Sequence, residues 1–247
     1  MLLFLVRGPV HPADKVVELA QTRFSWPGAG ANVVTLPALS VTRGERVFLR
    51  GPSGSGKSTL LNLLAGVLPA PSGSLRVLGQ DLSRMPGAAR DRFRADHVGV
   101  IFQMFNLIPY LTVVENVCLP CRFSAARRAR AQAGSDGVSG AARRLLADLD
   151  LADPALLRRP VTALSVGQQQ RVAAARALIG APELVLADEP TSALDADRRA
   201  GFLQLLFRQC EREGTTLLFA SHDSGLAPLF DRRVDLAERA AALAAAA

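Results

Sequence analysis

The chain has 247 residues, enough for one large α/β domain with a substantial core or for two small ones. Hydrophobic residues make up 49% and charged residues 21%, as in a folded soluble protein, and no stretch approaches the roughly 20 apolar residues that a bilayer-spanning helix needs. The net charge of +7 is almost all arginine, since Lys15 and Lys57 are the only lysines; it suits a nucleic-acid or a membrane-surface partner and decides for neither.

Residues 1–6 are apolar but stop at Arg7-Gly8-Pro9. That is too short for the apolar part of a signal peptide, so a cytoplasmic chain is expected, with any membrane role coming through a partner. Alternating patterns over 16–26 and 75–82 predict strands of a small antiparallel sheet. The run 46–50 predicts a strand entering a glycine-rich loop, and 57–68 a helix that stops at Pro69. Residues 98–102 predict a strand ending at Gln103. From Gln103 to Ser165 the pattern turns helical and arginine-rich, broken by Gly134-Ser135-Asp136-Gly137, as in an inserted helical subdomain. Arg122, Arg127, Arg128 and Arg130 form the one real charge cluster there. Cys118-Leu119-Pro120-Cys121 has redox spacing but lacks the strand-to-helix junction that redox chemistry uses, so structural cysteines are expected. A helix over 166–179 follows a capping signal, a strand over 184–187 ends at Asp188-Glu189, and an amphipathic helix spans 198–211. A last strand over 215–220 ends at Ser221-His222, and 240–247 reads as a frayed, alanine-rich helix end.

Continuous apolar runs of this kind suit strands buried on both faces, as in a parallel sheet flanked by helices. The expected class is therefore α/β with a mainly parallel sheet. In such sheets ligands bind beyond the carboxyl ends of the strands, and the polar residues ending four predicted strands converge there. A single domain is expected, with the β-subdomain and the first part of the core over 16–103. The helical subdomain takes 104–180 and the second part of the core 181–247.

Gly51-Pro52-Ser53-Gly54-Ser55-Gly56-Lys57-Ser58 matches the G-x-x-x-x-G-K-[ST] phosphate loop, between a strand and a helix as required. Glycines let successive N–H groups turn toward phosphate oxygens, and the helix start adds its positive end. Lys57 is expected to reach the β- and γ-phosphates of ATP and Ser58 to hold Mg²⁺, with Thr59 completing the segment. Asp188 closes an apolar strand, where a second Mg²⁺-positioning carboxylate belongs, and Glu189 could polarise an attacking water. Taken alone, the pair is also an ordinary acidic strand-to-loop junction. Ser165 and Gln168 form a capping box. Gly167 in that first turn weakens the helix by roughly 1 kcal/mol, which makes sense if something approaches the backbone closely. Residues 168–171 otherwise read as an exposed polar face.

Leu164-Ser165-Val166-Gly167-Gln168-Gln169-Gln170-Arg171 resembles the signature sequence of ABC ATPases. Together with the phosphate loop, Gln103, residues 184–190, Ser192-Ala193-Leu194-Asp195 and His222, it gives that family's motif set in order over about 16–236. The resemblance implies a P-loop NTPase core with a small antiparallel β-subdomain and an inserted α-helical one. It implies that two copies pair head to tail around two ATP molecules, each ATP held by the phosphate loop of one copy and by Ser165, Val166, Gly167 and Gln168 of the other. It further implies that Glu189 is the catalytic base and that His222 contacts the γ-phosphate. Gln103 would bind Mg²⁺ and sense a permease, and Asp195 would communicate across the dimer. Trp26 stands where the family stacks an aromatic on adenine; a core tryptophan at a turn is the alternative. Val166 occupies a position where glycine is usual, which stiffens the turn but keeps its N–H.

Residues 102–117 resemble the lipoprotein-release and macrolide-efflux subgroup, although polar amino-acid importers share much of this stretch. The implied partner is an integral membrane permease at the inner face of the membrane, and no nucleic acid. A cell-division-type ABC ATPase acting on a permease-like partner is an open alternative. A soluble ABC ATPase is less favoured, because the chain has neither a coiled-coil insertion nor a second cassette. Segment 104–111 admits two expectations: Phe105, Leu107, Ile108 and Leu111 pack the helical subdomain, or some of them line a groove for a permease helix.

Overall fold

The computed structural model describes residues 14–28, 31–69, 72–134 and 136–236. The apolar start and the alanine run at 240–247 lie outside them. In chain order the elements open with strands β1 (Lys15–Phe24), β2 (Val34–Thr42) and β3 (Arg46–Arg50), then helix α1 (Lys57–Leu64). Strands β4 (Ser72–Val77) and β5 (Gln80–Asp81), helix α2 (Gly87–His97) and strand β6 (Val98–Ile101) follow. The helical region comprises α3 (Val113–Cys118), α4 (Pro120–Phe123), α5 (Ala125–Gln132), α6 (Gly137–Asp148), α7 (Pro154–Leu157) and α8 (Val166–Leu178). The chain returns through β7 (Leu184–Asp188), α9 (Ala196–Glu213), β8 (Thr216–Ser221) and β9 (Arg232–Asp235).

Two sheets result. An antiparallel one runs β2-β1-β4-β5, and a parallel one runs β6-β7-β8-β3-β9. In the parallel sheet Val98 pairs with Leu184, Leu184 with Thr216, and Arg46 with Leu217. The apolar runs are continuous because alternate residues serve opposite faces. In β7, Val185 and Ala187 join the core shared with the helical region, whereas Leu184 and Leu186 join the core shared with α1 and the antiparallel sheet. β3 and β8 divide in the same way, Phe48, Leu217 and Phe219 against Val47, Leu49, Leu218 and Ala220.

Several elements differ from the sequence expectation, among them α2, a helix that no predicted element covers, and the predicted strand over 75–82, which a turn splits between β4 and β5. α1 ends at Leu64, because Gly66 adopts φ +67° and closes the helix. Its N–H donates to Leu63 O (3.0 Å) and that of Val67 to Asn62 O (2.9 Å), the paired bonds of a Schellman ending. β2 and β9 were not expected; both are edge strands. No helix of the described residues is long and apolar enough to cross a membrane.

Two of the four clustered arginines are internal scaffolding, while Arg122 and Arg128 are exposed. Arg127, 2% exposed, donates from Nε to Ile179 O (2.8 Å) and from Nη2 to Ala177 O (2.6 Å). Arg130 donates to Gly180 O and to Asp96 O, both at 2.6 Å. Two cations of α5 thus meet the carbonyl end of α8, where a helix needs donors and favours positive charge. Burial brings the Arg127 guanidinium down to about 10, still charged at neutral pH. Cys118, Cys121 and Cys210 are free thiols, and burial pushes all three up and away from the reactive thiolate.

Candidate nucleotide site

The loop from Gly51 to Gly56 joins β3 to α1 and is shaped by what its glycines leave out. A Cβ on Gly51 would lie 2.2 Å from Ser55 Oγ. Gly56 is the N-cap of α1 at φ +86°, and a Cβ there would lie 2.5 Å from Val33 O and 3.1 Å from Val34 Cγ2. The loop therefore rests directly against the start of β2. No side chain caps α1 and no acidic residue occupies its first turn. Its orphan N–H groups are left for an anion. Pro52, Ser53 and Gly54 are exposed, Thr59 is buried, and Ser55 Oγ is buried without a partner.

Lys57 is buried and folds back over the loop, donating from Nζ to Gly51 O (2.7 Å) and Pro52 O (3.1 Å), with Glu189 Oε1 at 3.6 Å. An ammonium resting on carbonyls at the loop mouth is poised to meet phosphate. Ser58, exposed at the first turn of α1, lies beside Asp188 at the end of β7 and acts to lower its carboxyl. Asp188 Oδ1 is buried and has no hydrogen-bond partner. Burial is the main cause that raises the Asp188 carboxyl above its ordinary value, reinforced by Glu189 and opposed by Ser58 and Lys57. A hydroxyl beside a carboxylate with one unsatisfied oxygen is a donor set that fits Mg²⁺, a hard cation bound through oxygen.

Glu189 follows at φ +46°, a left-handed conformation unusual for glutamate and the kind of strain that gathers at functional sites. Its N–H is tied to Ala220 O at 2.9 Å. Its carboxylate accepts from Ser221 Oγ at 3.1 Å and lies 3.0 Å from His222 Nδ1 through both oxygens. Its side chain is 12% exposed and that of His222 62%. The ends of β3, β7 and β8 thus bring Lys57, Ser58, Asp188, Glu189 and His222 together, as the sequence predicts, with Ser221 as an addition. Its position at a strand end beside His222 was the available signal.

Gln103 is exposed in the turn after β6. Its neighbours Phe102 and Asn106 line a cavity of about 330 Å³ whose wall includes Ser58 and Asp188. In segment 104–111 the packing expectation holds for Phe105 and Leu107, and Ile108 and Leu111 are half-buried. Met104 and Tyr110 are 80% and 81% exposed. Trp26, at the end of β1, is 44% exposed and meets Phe24 edge-on at 5.3 Å, so it is not a core tryptophan. Phe24 pairs with Val34, the residue that abuts Gly56, which sets Trp26 on the loop's side of the antiparallel sheet.

The signature residues form a second cluster. Ser165 caps α8 with the expected box: Ser165 N–H to Gln168 Oε1 at 2.9 Å and Gln168 N–H to Ser165 Oγ at 3.4 Å. Val166 is 47% exposed. A Cβ on Gly167 would meet only Leu194 Cδ2, at an ordinary 3.8 Å. A cavity of about 210 Å³ is lined by Ser165, Gly167, Gln168, Leu194, Arg198 and Phe202 among others, and by no residue of the phosphate loop. Asp195 caps α9 through the N–H of Arg198 (2.9 Å). One correction concerns 168–171, expected as an exposed face: Gln170 is fully buried, and its Nε2 donates to the carbonyl of Pro190, next to Glu189. A glutamine inside a polar run gives no sequence signal of burial.

The sequence profile of the family described as "ABC transporter" matches residues 36–192. The uncharacterized ABC transporter ATP-binding protein YbbA of Escherichia coli (strain K12) is 42% identical over 224 residues, 90% of this chain and 94% of YbbA. The lipoprotein-releasing system ATP-binding protein LolD 2 of Rhodospirillum rubrum is 43% identical over 199 residues, 81% of this chain and 83% of LolD 2. Among solved structures, the dimeric post-hydrolysis ATP-binding cassette MJ0796 bound to ADP and Pi superposes with a TM-score of 0.77 at 33% identity, covering 89% of this chain and 94% of that one. The chain thus belongs to the ABC transporter family, as an ATPase domain with the fold of that cassette.

Proposed function

We propose that this chain is the motor of a membrane transporter: it binds ATP with Mg²⁺, pairs head to tail with a second copy, and drives a separate integral membrane permease at the inner face of the membrane. The observation that supports the shared site most is Gly167. Its own chain leaves room for a side chain there, yet a glycine in a first helical turn costs about 1 kcal/mol relative to alanine. A glycine that internal packing does not need fits a surface built for a ligand brought by another molecule. The separation of the Ser165 cluster from the phosphate loop points the same way.

In this reading the phosphate loop's N–H groups, the start of α1 and Lys57 hold the phosphates, while Ser58 and Asp188 hold the cation, with Gln103 nearby. Bound Mg²⁺ offsets phosphate charge. Glu189, oriented by Ser221 and His222, takes the proton of the attacking water, and His222 is exposed enough to reach the γ-phosphate. Trp26 stacks on the base. Ser165, Val166, Gly167 and Gln168 close over the ATP of the opposite copy, and Asp195 sits beside that closure. The names of the relatives, lipoprotein release above all, support a permease partner, as does the exposed apolar surface around Gln103.

The test is purification of the chain from its own membranes. The reading expects one integral membrane protein to co-purify and ATP turnover to require the permease-bound dimer's signature, so that Ser165→Arg retains the membrane protein and loses turnover. A chain that purifies alone and turns over ATP as a monomer would contradict it.

A further inference from the structure

The three consecutive glutamines of α8 have different partners. Gln168 completes the box with Ser165, and Gln169 Nε2 donates to Leu164 O at 3.1 Å, so both serve the start of their own helix. Gln170 reaches another element. It is 0% exposed, and its Nε2 donates to the carbonyl oxygen of Pro190. A carbonyl only accepts, so the amide nitrogen must face Pro190 and Oε1 must face away. There Oε1 is buried with no hydrogen-bond partner.

A buried oxygen without a donor costs the fold, and packing does not ask for it. The residues that follow, Val172, Ala173 and Ala174, are fully buried and apolar. A methionine would fill much the same volume as Gln170 with no oxygen to orphan. What the glutamine secures is the turn after β7. Glu189 holds φ +46° there, a conformation that persists only where its surroundings over-determine it. Its N–H is tied to Ala220 O, and its carbonyl accepts from Ser192 N–H (3.2 Å) and Ser192 Oγ (3.0 Å). Those bonds come from β8 and from the turn itself; the bond on Pro190 comes from α8. β8 also aims the carboxylate. Ser221 Oγ accepts the N–H of Asp223 (3.1 Å), which leaves its hydrogen for Glu189.

We propose that Gln170 is a positioning residue for ATP hydrolysis. It fastens the Glu189–Pro190 backbone to α8, so that the carboxylate aimed by Ser221 and His222 stays where an attacking water meets it. The inference rests on the reading of Glu189 as the base and adds the residue that holds its backbone in place. A base displaced by about 1 Å loses much of its effect while the nucleotide still binds, so the contribution of Gln170 falls on turnover and not on affinity. Gln170 also lines the cavity of Ser165, Gly167 and Leu194, so the bond sits where the two clusters of one chain adjoin.

The experiment compares Gln170→Met, Glu189→Gln and the double variant, each purified from its own membranes, in kcat, KM, ATP affinity and melting temperature. Gln170→Met should lower kcat about tenfold or more, with KM and affinity within about twofold of the parent. Its melting temperature should be no lower than the parent's, because the lost hydrogen bond is offset by removal of the orphaned oxygen. A glutamine that served packing alone would show the reverse, a lower melting temperature with kcat kept. Added to Glu189→Gln, Gln170→Met should change the residual single-turnover rate less than about twofold, since residues that act as a unit are not additive. Gln170→Glu is the second variant. Its buried carboxyl stays protonated at low pH and donates an O–H to the same carbonyl. Its kcat relative to the parent should therefore be highest at about pH 6 and fall as pH rises and the carboxyl ionises. A folded Gln170→Met protein with normal kcat, or a tenfold loss undiminished on Glu189→Gln, overturns the inference and leaves Glu189 as the base. If Gln170→Met does not fold, a Gln170→Glu ratio that is flat with pH overturns it. Near-normal turnover of Glu189→Gln alone overturns the base reading, and the inference with it.

Discussion

At the scale of single residues, the site is built from positions where the fold accepts a local cost. Glu189 holds a left-handed backbone so that its carboxylate meets Ser221 and His222. If it is the base, Glu189→Gln should retain ATP binding and lose about 10²–10⁴-fold in turnover; near-normal turnover would remove it from that role. Gly167 makes an opposite prediction for stability and activity. Gly167→Ala should raise the melting stability of the isolated chain by up to about 1 kcal/mol, since the helix gains and only Leu194 is near. Under the proposed head-to-tail pairing the same variant should lose ATPase activity, because the added methyl would face the nucleotide of the other copy. Asp188 supplies a pH dependence. Its carboxyl is raised above the ordinary 3.8 mainly by burial, so the fold favours its protonated form. It therefore costs the fold nothing below the ordinary value, and the cost grows as pH rises through the raised value and stays constant above it. Asp188→Asn should stabilise the nucleotide-free chain at neutral pH, with the gain shrinking as pH falls toward 3.8. A thermal-melt gain equal at all pH values would point to another cause.

At the scale of elements, α5 shows what a sequence conceals. Its arginines read as a charge cluster on a helix, and only the fold puts Arg127 and Arg130 against the carbonyl end of α8. Arg127→Met leaves two buried carbonyls without their donors, and should destabilise the chain by about 2–4 kcal/mol in chemical unfolding. A loss below about 0.5 kcal/mol, the range of an ordinary surface change, would show that α8 does not depend on the clamp. The core strands β3, β6, β7 and β8 were legible because burial on both faces demands an unbroken apolar run. β2 was not, because Pro37 interrupts it; an edge strand tolerates the missing N–H. β9, with Arg232 and Arg233 in four residues, has no apolar run to read. The end of α1 was misplaced because Val67 and Leu68 continue its apolar pattern past the glycine that stops it. Within the site, Lys57, Ser58, Asp188 and Glu189 were legible because phosphate chemistry fixes both their types and their spacing. Gln170 was not, since its burial follows from how α8 crosses the turn after Glu189.

At the scale of the whole molecule, one chain carries two separate clusters: the phosphate loop with Lys57, Ser58, Asp188 and Glu189, and the signature residues in a cavity that no phosphate-loop residue lines; in the proposed reading each is half of a site. The central claim is that these halves complete each other only between two copies. The most direct measurement is sedimentation velocity of Glu189→Gln with and without ATP and Mg²⁺, repeated after adding Ser165→Arg, with nucleotide affinity measured for both proteins. The account predicts a dimer for Glu189→Gln only when ATP and Mg²⁺ are present. It predicts a monomer for the double variant, with nucleotide affinity within about threefold of the single variant, a difference under 1 kcal/mol. A Glu189→Gln protein that stays monomeric with saturating nucleotide, or a Ser165→Arg change that removes the monomer's own affinity, would contradict it.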